Sequence, residues 1–219
     1  QFVAFIGPSG CGKSTLLKLA GGILQPTQGS ITLDGMPPSE IRKQFKIASL
    51  AQSPALLPWR SSLENVELAQ KFVPASNGRI PSPELALQMV NLNGIANFYP
   101  GELSGGMQQR VALARLLVTN ASLWLMDEPF AAIDELNRES LSETLSKLWA
   151  TLNPTVLWVT HNIAEAVKLA DRILVFSPSP GTIIADLPIE LPRPRRESNP
   201  AFHELVQSVR TYLKGHQDA

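Results

Sequence analysis

Nine consecutive residues, Gly7-Pro8-Ser9-Gly10-Cys11-Gly12-Lys13-Ser14-Thr15, have the spacing G-x-x-x-x-G-K-[ST]. These residue types suit the crowded anionic oxygens of a nucleoside triphosphate. Gly7, Gly10 and Gly12 let the backbone curl with its N–H groups pointing inward. Lys13 adds a full positive charge for the β- and γ-phosphates. The Ser14 hydroxyl can ligate Mg²⁺, and Thr15 can reach an α-phosphate oxygen. A helix beginning here would add the positive end of its dipole.

Such a loop needs a strand before it and a helix after it. The apolar run Phe2 to Ile6 predicts a buried strand. Leu16, Leu17 and Ala20 share one helix face, and Gly21-Gly22 offers a stop. Further along, Ser30 to Leu33 alternates and ends in Asp34-Gly35, which predicts a strand and a hairpin turn. Ile47 to Ala51 is a short apolar run closing on Gln52. Pro54, Pro58, Pro74, Pro81 and Pro83 then break the chain into short pieces, and residues 53–118 read as a mostly helical insert. Within it, Ser61 and Glu64 form a capping box for a helix through Phe72. Pro83 opens another, with Leu85, Met89 and Leu92 on one face and Gly94 as its stop.

Strands return after the insert. Leu123 to Met126 is apolar throughout, as in a parallel strand covered on both faces. Leu141, Leu145, Leu148 and Leu152 mark a long helix. Thr155–Thr160, Asn162–Ala170 and Ile173–Phe176 read as strand, helix and strand, so the alternation predicts a parallel sheet with helical crossovers. The tail carries Arg193, Arg195 and Arg196 in what reads as a solvated turn. An amphipathic helix follows, with Phe202, Leu205, Val206, Val209 and Leu213 inward.

A second motif is Leu103-Ser104-Gly105-Gly106-Met107-Gln108-Gln109-Arg110. Ser104 is a good N-cap, with Met107, Val111 and Ala114 along the helix that follows. By its chemistry alone it is either an ordinary helix start or another anion site. Downstream of the phosphate loop, it resembles the LSGGQ motif of the ATP-binding cassette (ABC) ATPases, here with Met107 in the fifth place. The resemblance runs from Gln1 to about Pro192. A third motif fits it: the apolar run 123–126 ends in Asp127-Glu128-Pro129. Asp127 is placed to hold Mg²⁺ through its water shell, and Glu128 looks like the general base that polarises the attacking water. An acidic strand end that merely faces solvent is the less favoured alternative.

The resemblance implies more. Gln52 matches the loop glutamine that reaches Mg²⁺ and the attacking water. His161, in Thr160-His161-Asn162, matches the switch histidine that contacts the γ-phosphate. Asp134 matches the D-loop, with Ile133 in place of the usual Leu. The expected fold is α/β: a P-loop NTPase (RecA-like) core, residues 1–52 and 119–192, with the helical subdomain 53–118 and a helical tail 193–219. The chain opens without Met, directly in the loop's strand. The strands usual ahead of such a loop, and the family's adenine-stacking aromatic, are therefore expected upstream of this sequence.

In the family, Ser104 and Gly106 reach the γ-phosphate bound by a partner. The resemblance thus implies two ATP-binding subunits sandwiching two ATPs. Gln52-Ser53-Pro54-Ala55-Leu56-Leu57-Pro58-Trp59-Arg60, with Pro180-Gly181 and Leu191-Pro192-Arg193-Pro194-Arg195, resembles the nitrate, sulfonate, taurine and bicarbonate importer branch. Import implies permease subunits, a solute-binding protein and a place on the cytoplasmic face of the membrane. The segment around Trp59 would then form part of a groove for a cytoplasmic permease helix. An ABC ATPase of a lipid-transport or release complex is the alternative reading.

Composition narrows the classes further. In 219 residues, Lys plus Arg and Asp plus Glu both number 19, which leaves no electrostatic footprint for nucleic acid. The single cysteine, Cys11, permits no intrachain disulfide and suits a reducing compartment. No run reaches the apolar length of a membrane span, and no signal peptide is visible. The heptad coiled coil of chromosome-type ABC ATPases is missing too. A small-molecule kinase would need neither Leu103–Arg110 nor the switch histidine.

Overall fold

The computed structural model describes residues 1–73, 80–131 and 133–215; Pro74, singled out above, lies outside them. Six strands form one sheet: β1 (Phe2–Ile6), β2 (Ile47–Leu50), β3 (Leu123–Asp127), β4 (Thr155–Val159), β5 (Arg172–Phe176) and β6 (Ile183–Pro188). Their spatial order is β2-β3-β4-β1-β5-β6. The first five pair in parallel, and β6 adds an antiparallel edge to β5. Parallel strands point their carboxyl ends to one edge, where α/β proteins gather their ligands.

The sheet is covered on both faces, which explains strands without polar alternation. Phe2, Ala4, Ile6, Trp124, Met126 and Trp158 turn to one side, and Val3, Phe5, Leu123 and Leu125 to the other. The second face receives Leu17 and Ala20 of α1 (Lys13–Ala20). A short α2 (Pro38–Lys43) precedes β2. The first face meets all the later helices. These are α3 (Ser62–Lys71), α4 (Pro83–Met89), α5 (Gly105–Leu117), α6 (Glu135–Leu152), α7 (Ile163–Leu169) and α8 (Pro200–Lys214). Between β2 and β3 the described residues form helices and loops. Val66, Leu87 and Val90 there belong to the same buried cluster as Phe2 and Trp158. Helical segment and sheet therefore share a continuous core.

Local signals explain the helix starts. Ser61 accepts from the Glu64 N–H at 3.2 Å while the Glu64 carboxylate accepts from the Ser61 N–H at 2.7 Å, so the predicted capping box forms. Ser82, Ser104, Asp134, Asn162 and Asn199 cap α4 to α8 through side-chain oxygens.

Several expectations change. Asp34 and Gly35 form the predicted turn, both with positive φ, but only the bridge Leu33–Met36 closes it. Among the described residues Ser30 to Leu33 gains no ladder and is no strand. On α4, Leu85 faces solvent, and the buried face is Ala86 and Leu87 followed by Val90. Leu152 also faces out, because α6 ends there on Asn153 in a left-handed conformation. The edge strand β6 went unpredicted: none of its residues is fully buried, so its sequence IIADLP lacks a clear apolar–polar alternation, and it ends in proline.

The arginine-rich turn is solvated only in part: Arg196 is exposed, but Arg193 and Arg195 turn inward. Arg195 is buried and donates to the carbonyls of Leu191, Val167, Ala170 and Ile189. Arg193 pairs with Asp171 at 2.6 Å, donates to the Leu169 carbonyl and lies 4.3 Å over the Trp149 ring. The segment clasps the end of α7 and the start of β5. Burial pushes the Arg195 guanidinium down to about 10, still charged at neutral pH.

Candidate nucleotide site

Four neighbouring parallel strands end together. Gln52 follows β2, Asp127 and Glu128 end β3, His161 follows β4, and Gly7 follows β1. Residues scattered over 155 positions of sequence thus reach one edge because the strand order is β2-β3-β4-β1.

The loop from Gly7 to Gly12 bends through Gly10 (φ 79°) and Gly12 (φ 101°), left-handed conformations that cost a side chain energy. Gly12 also caps α1, so the helix begins at Lys13 with its first amides directed into the loop. Lys13 is buried, its ammonium donating to the Gly7 and Pro8 carbonyls at 2.8 Å each and lying 3.6 Å from the Cys11 sulfur. Ser9, Gly10 and Thr15 are exposed on the loop's outer side.

Ser14 Oγ donates to Asp127 Oδ1 at 2.9 Å. Among the described residues no cluster of three His, Cys, Asp or Glu side chains could cage a metal. A hydroxyl beside one carboxylate nonetheless fits Mg²⁺, which takes one or two protein oxygens and fills its remaining positions with water and phosphate.

Glu128 sits at φ 46°, held by its N–H donating to the Val159 carbonyl at 2.9 Å. A left-handed glutamate is a costly conformation, and such residues gather at functional sites. Its Oε2 lies 3.3 Å from Nδ1 of the exposed His161. Glu128 and His161 are therefore neighbours across adjacent strand ends. Gln52 is exposed. The carbonyl of the preceding Ala51 accepts from Gln109 Nε2 on α5 at 3.1 Å, which ties this loop to the helix of the second motif. Gln52, Pro54, Gly105, Gln108 and Pro129 line a cleft of about 400 Å³ between the two.

Ser104 and Gly105 are exposed at the start of α5, where Ser104 Oγ accepts from the Met107 N–H at 3.3 Å. Gly106 packs near Asn137, whose side chain donates to Asp134 at 2.7 Å. This bond and the Asn137 N–H hold the Asp134 carboxyl below its usual range. Trp59 is 70% exposed. Buried Asn65 grips the loop beneath it, accepting from the Leu57 N–H and donating to the Leu57, Arg60 and Ser61 carbonyls.

Sequence reasoning missed one network. Glu165 accepts from Thr160 Oγ1 and from Asn162 Nδ2, each at 3.2 Å, and lies 3.6 Å from Arg138 Nε. Arg138 in turn donates to the Ile133 carbonyl at 2.8 Å. The residues flanking His161 are thus braced against those flanking Asp134. The Asn162-x-x-Glu165 spacing of a capped helix start was the readable signal.

Residues 1–131 match the family model described as ABC transporter. The chain is 42% identical over 217 residues to an uncharacterized ABC transporter ATP-binding protein of Methanocaldococcus jannaschii, covering 98% of this chain and 80% of that protein. It is 39% identical over 226 residues to the taurine import ATP-binding protein of Rhizobium johnstonii, covering 99% and 86%. An aliphatic sulfonates import ATP-binding protein of Pseudomonas fluorescens is 44% identical over 195 residues, covering 89% and 69%. Among solved structures, an ATP-binding cassette in a dimeric post-hydrolysis state with ADP and Pi is 33% identical, with TM-score 0.74 over 87% of this chain and 86% of that one.

Proposed function

The chain belongs to the ABC transporter family of ATP-binding cassettes, and we propose that it is the ATP-hydrolysing subunit of an importer for taurine, an aliphatic sulfonate or a similar small anion. The observation that carries this reading is the shared strand edge, with Ser14 2.9 Å from Asp127 and Glu128 3.3 Å from His161. The similarity to taurine and aliphatic sulfonates import ATP-binding proteins supports the importer branch.

In this reading residues 1–52 and 119–192 are the nucleotide-binding core, 53–118 the helical subdomain and 193–219 the tail. Gly7, Ser9, Gly10, Cys11 and Gly12 offer backbone to the phosphates. Lys13 turns from the Gly7 and Pro8 carbonyls toward the β- and γ-phosphates, and Thr15 meets the α-phosphate. Ser14 and Asp127, with Gln52, would hold Mg²⁺, which supplies neutralisation of phosphate charge. Glu128 takes the proton of the attacking water and His161 steadies the γ-phosphate side of it. Ser104, Gly105, Gly106 and Asp134 serve the site of a second copy, as the dimeric relative suggests. Among the described residues no helix is long and apolar enough to cross a membrane, so separate permease subunits would form the channel. The exposure of Trp59 supports a meeting with one at the cytoplasmic face, with a solute-binding protein acting through that permease.

The test is Glu128→Gln. It should keep ATP affinity, form an ATP-dependent dimer on size-exclusion chromatography and lose at least about a hundredfold in turnover. Turnover near wild type would remove Glu128 as the base.

A further inference from the structure

Two glycines allow the turn between β5 and β6 to touch the phosphate loop. A Cβ on Gly7 would stand 2.8 Å from Phe176 Cβ and 2.9 Å from the Phe176 carbonyl oxygen. A Cβ on Gly181 would stand 2.0 Å from the Cys11 carbonyl oxygen and 3.0 Å from its carbon. Gly7 belongs to the loop and Gly181 to the turn, so each side has given up a side chain where they meet. Ordinary van der Waals contact for a Cβ begins near 3.4 Å.

Neither side is free to withdraw. The Ser177 N–H donates to the Thr182 carbonyl and the Thr182 N–H to Ser177 Oγ, both at 2.9 Å. Ser177 Oγ also lies within 3.1 Å of the Pro178 carbonyl and 3.3 Å of the Pro180 carbonyl. Phe176 is buried against Phe5 of β1, with ring centroids 5.7 Å apart. Across the contact, Lys13 binds the Gly7 and Pro8 carbonyls.

The touched atom matters because the peptide group is planar. The Cys11 carbonyl and the Gly12 N–H belong to one peptide plane, and Gly12 leads into α1. Pushing the oxygen rotates that donor. We propose that the turn 177–182 buttresses the phosphate loop and that Gly181 is a positioning residue for nucleotide binding. It sets the aim of the Gly12 N–H through the Cys11 carbonyl. The inference rests on the nucleotide reading of the loop.

The test compares wild type, Gly181→Ala and Ser177→Ala for ATP binding, steady-state ATP hydrolysis and melting without nucleotide. A misdirected charge-assisted donor corresponds to roughly ten- to a hundredfold in affinity. Gly181→Ala should raise the ATP Kd and KM by about tenfold. Ground state and transition state lose the same contact, so kcat at saturating ATP should stay within about threefold. The added methyl meets backbone on a braced turn, so the melting point without nucleotide should also fall by about 2–8 °C, and the proposal is read from the rise in Kd beside it.

An unchanged Kd and KM overturns the proposal, as does a fall in melting point with unchanged Kd. If Gly181→Ala does not fold, Ser177→Ala decides. It loosens the turn without adding bulk and should raise the Kd by about threefold; no change there refutes the buttress. The nucleotide reading fails separately, through absent ATP binding by the wild type.

Discussion

Ser14 and Asp127, 113 residues apart in sequence, meet through a 2.9 Å hydrogen bond that joins the first turn of α1 to the end of β3. Asp127→Asn keeps the shape and hydrogen-bonding reach but removes the charge. ATPase activity at 1:1 Mg²⁺ to ATP should fall by at least about a hundredfold, with part of it restored by excess Mg²⁺ or Mn²⁺. A Mg²⁺ titration checks this; a curve superimposable on wild type would separate Asp127 from the metal.

Glu165 gives a pH dependence of unusual sign. Burial raises its carboxyl above the ordinary value of 4.5, against the pull of Thr160, Arg138, His161 and Asn162. The folded state therefore holds this proton more tightly than the unfolded chain. Its contribution is most favourable below pH 4.5 and is lost as pH rises through the folded value. Glu165→Gln removes that loss. The melting temperature of the variant minus that of wild type should climb between pH 4 and neutrality. Asp134, Glu64 and Asp186, whose carboxyls are lowered, pull the other way in both proteins and cancel in the difference. A difference that is flat or falls with pH would contradict the assignment.

Most of the candidate site was legible because its residues sit at strand ends in fixed motifs. The loop 7–15 and Asp127-Glu128 each follow a short apolar run that reads as a strand covered on both faces. The spatial order of the strands was not legible. It follows from which crossovers pack on which face, and so does the meeting of His161 with Glu128. Arg195 was misread for a similar reason. Four carbonyl acceptors from Val167, Ala170, Ile189 and Leu191 converge on it only after α7, β5 and β6 have assembled. A charge-rich, proline-rich run looks solvated until those acceptors are known.

That convergence makes Arg195 a stability residue. Arg195→Ala leaves several buried carbonyls to water that must enter beside α7, at a cost of about 3 kcal/mol. For a chain of this size the melting temperature should drop by about 6–12 °C. The activity of the folded fraction at low temperature should stay within about twofold, because the clasp lies behind α7, away from the strand edge. Calorimetry with parallel ATPase assays tests both halves. Loss of activity with unchanged melting would place Arg195 in the catalytic path.

Ser104 tests whether the site is completed by a second copy. It is exposed, and its hydroxyl serves its own chain as the cap on Met107. Ser104→Arg puts a long cation where a partner's nucleotide would dock and also removes the cap. Ser104→Asn is therefore the companion, since Asn caps as well as Ser and keeps the site small. The Arg variant should lose at least about a hundredfold in hydrolysis and lose the ATP-dependent dimer, with monomer ATP affinity within about threefold of wild type. The Asn variant should match wild-type melting to about 2 °C, and Ser104→Ala, which loses the cap without adding bulk, isolates the docking defect from the cap. Two measurements settle the matter: ATP titration of dilute monomer, and turnover against protein concentration. If Ser104→Arg abolished ATP binding by the monomer as well, the residue would belong to its own chain's site, and the need for a partner at this position would disappear.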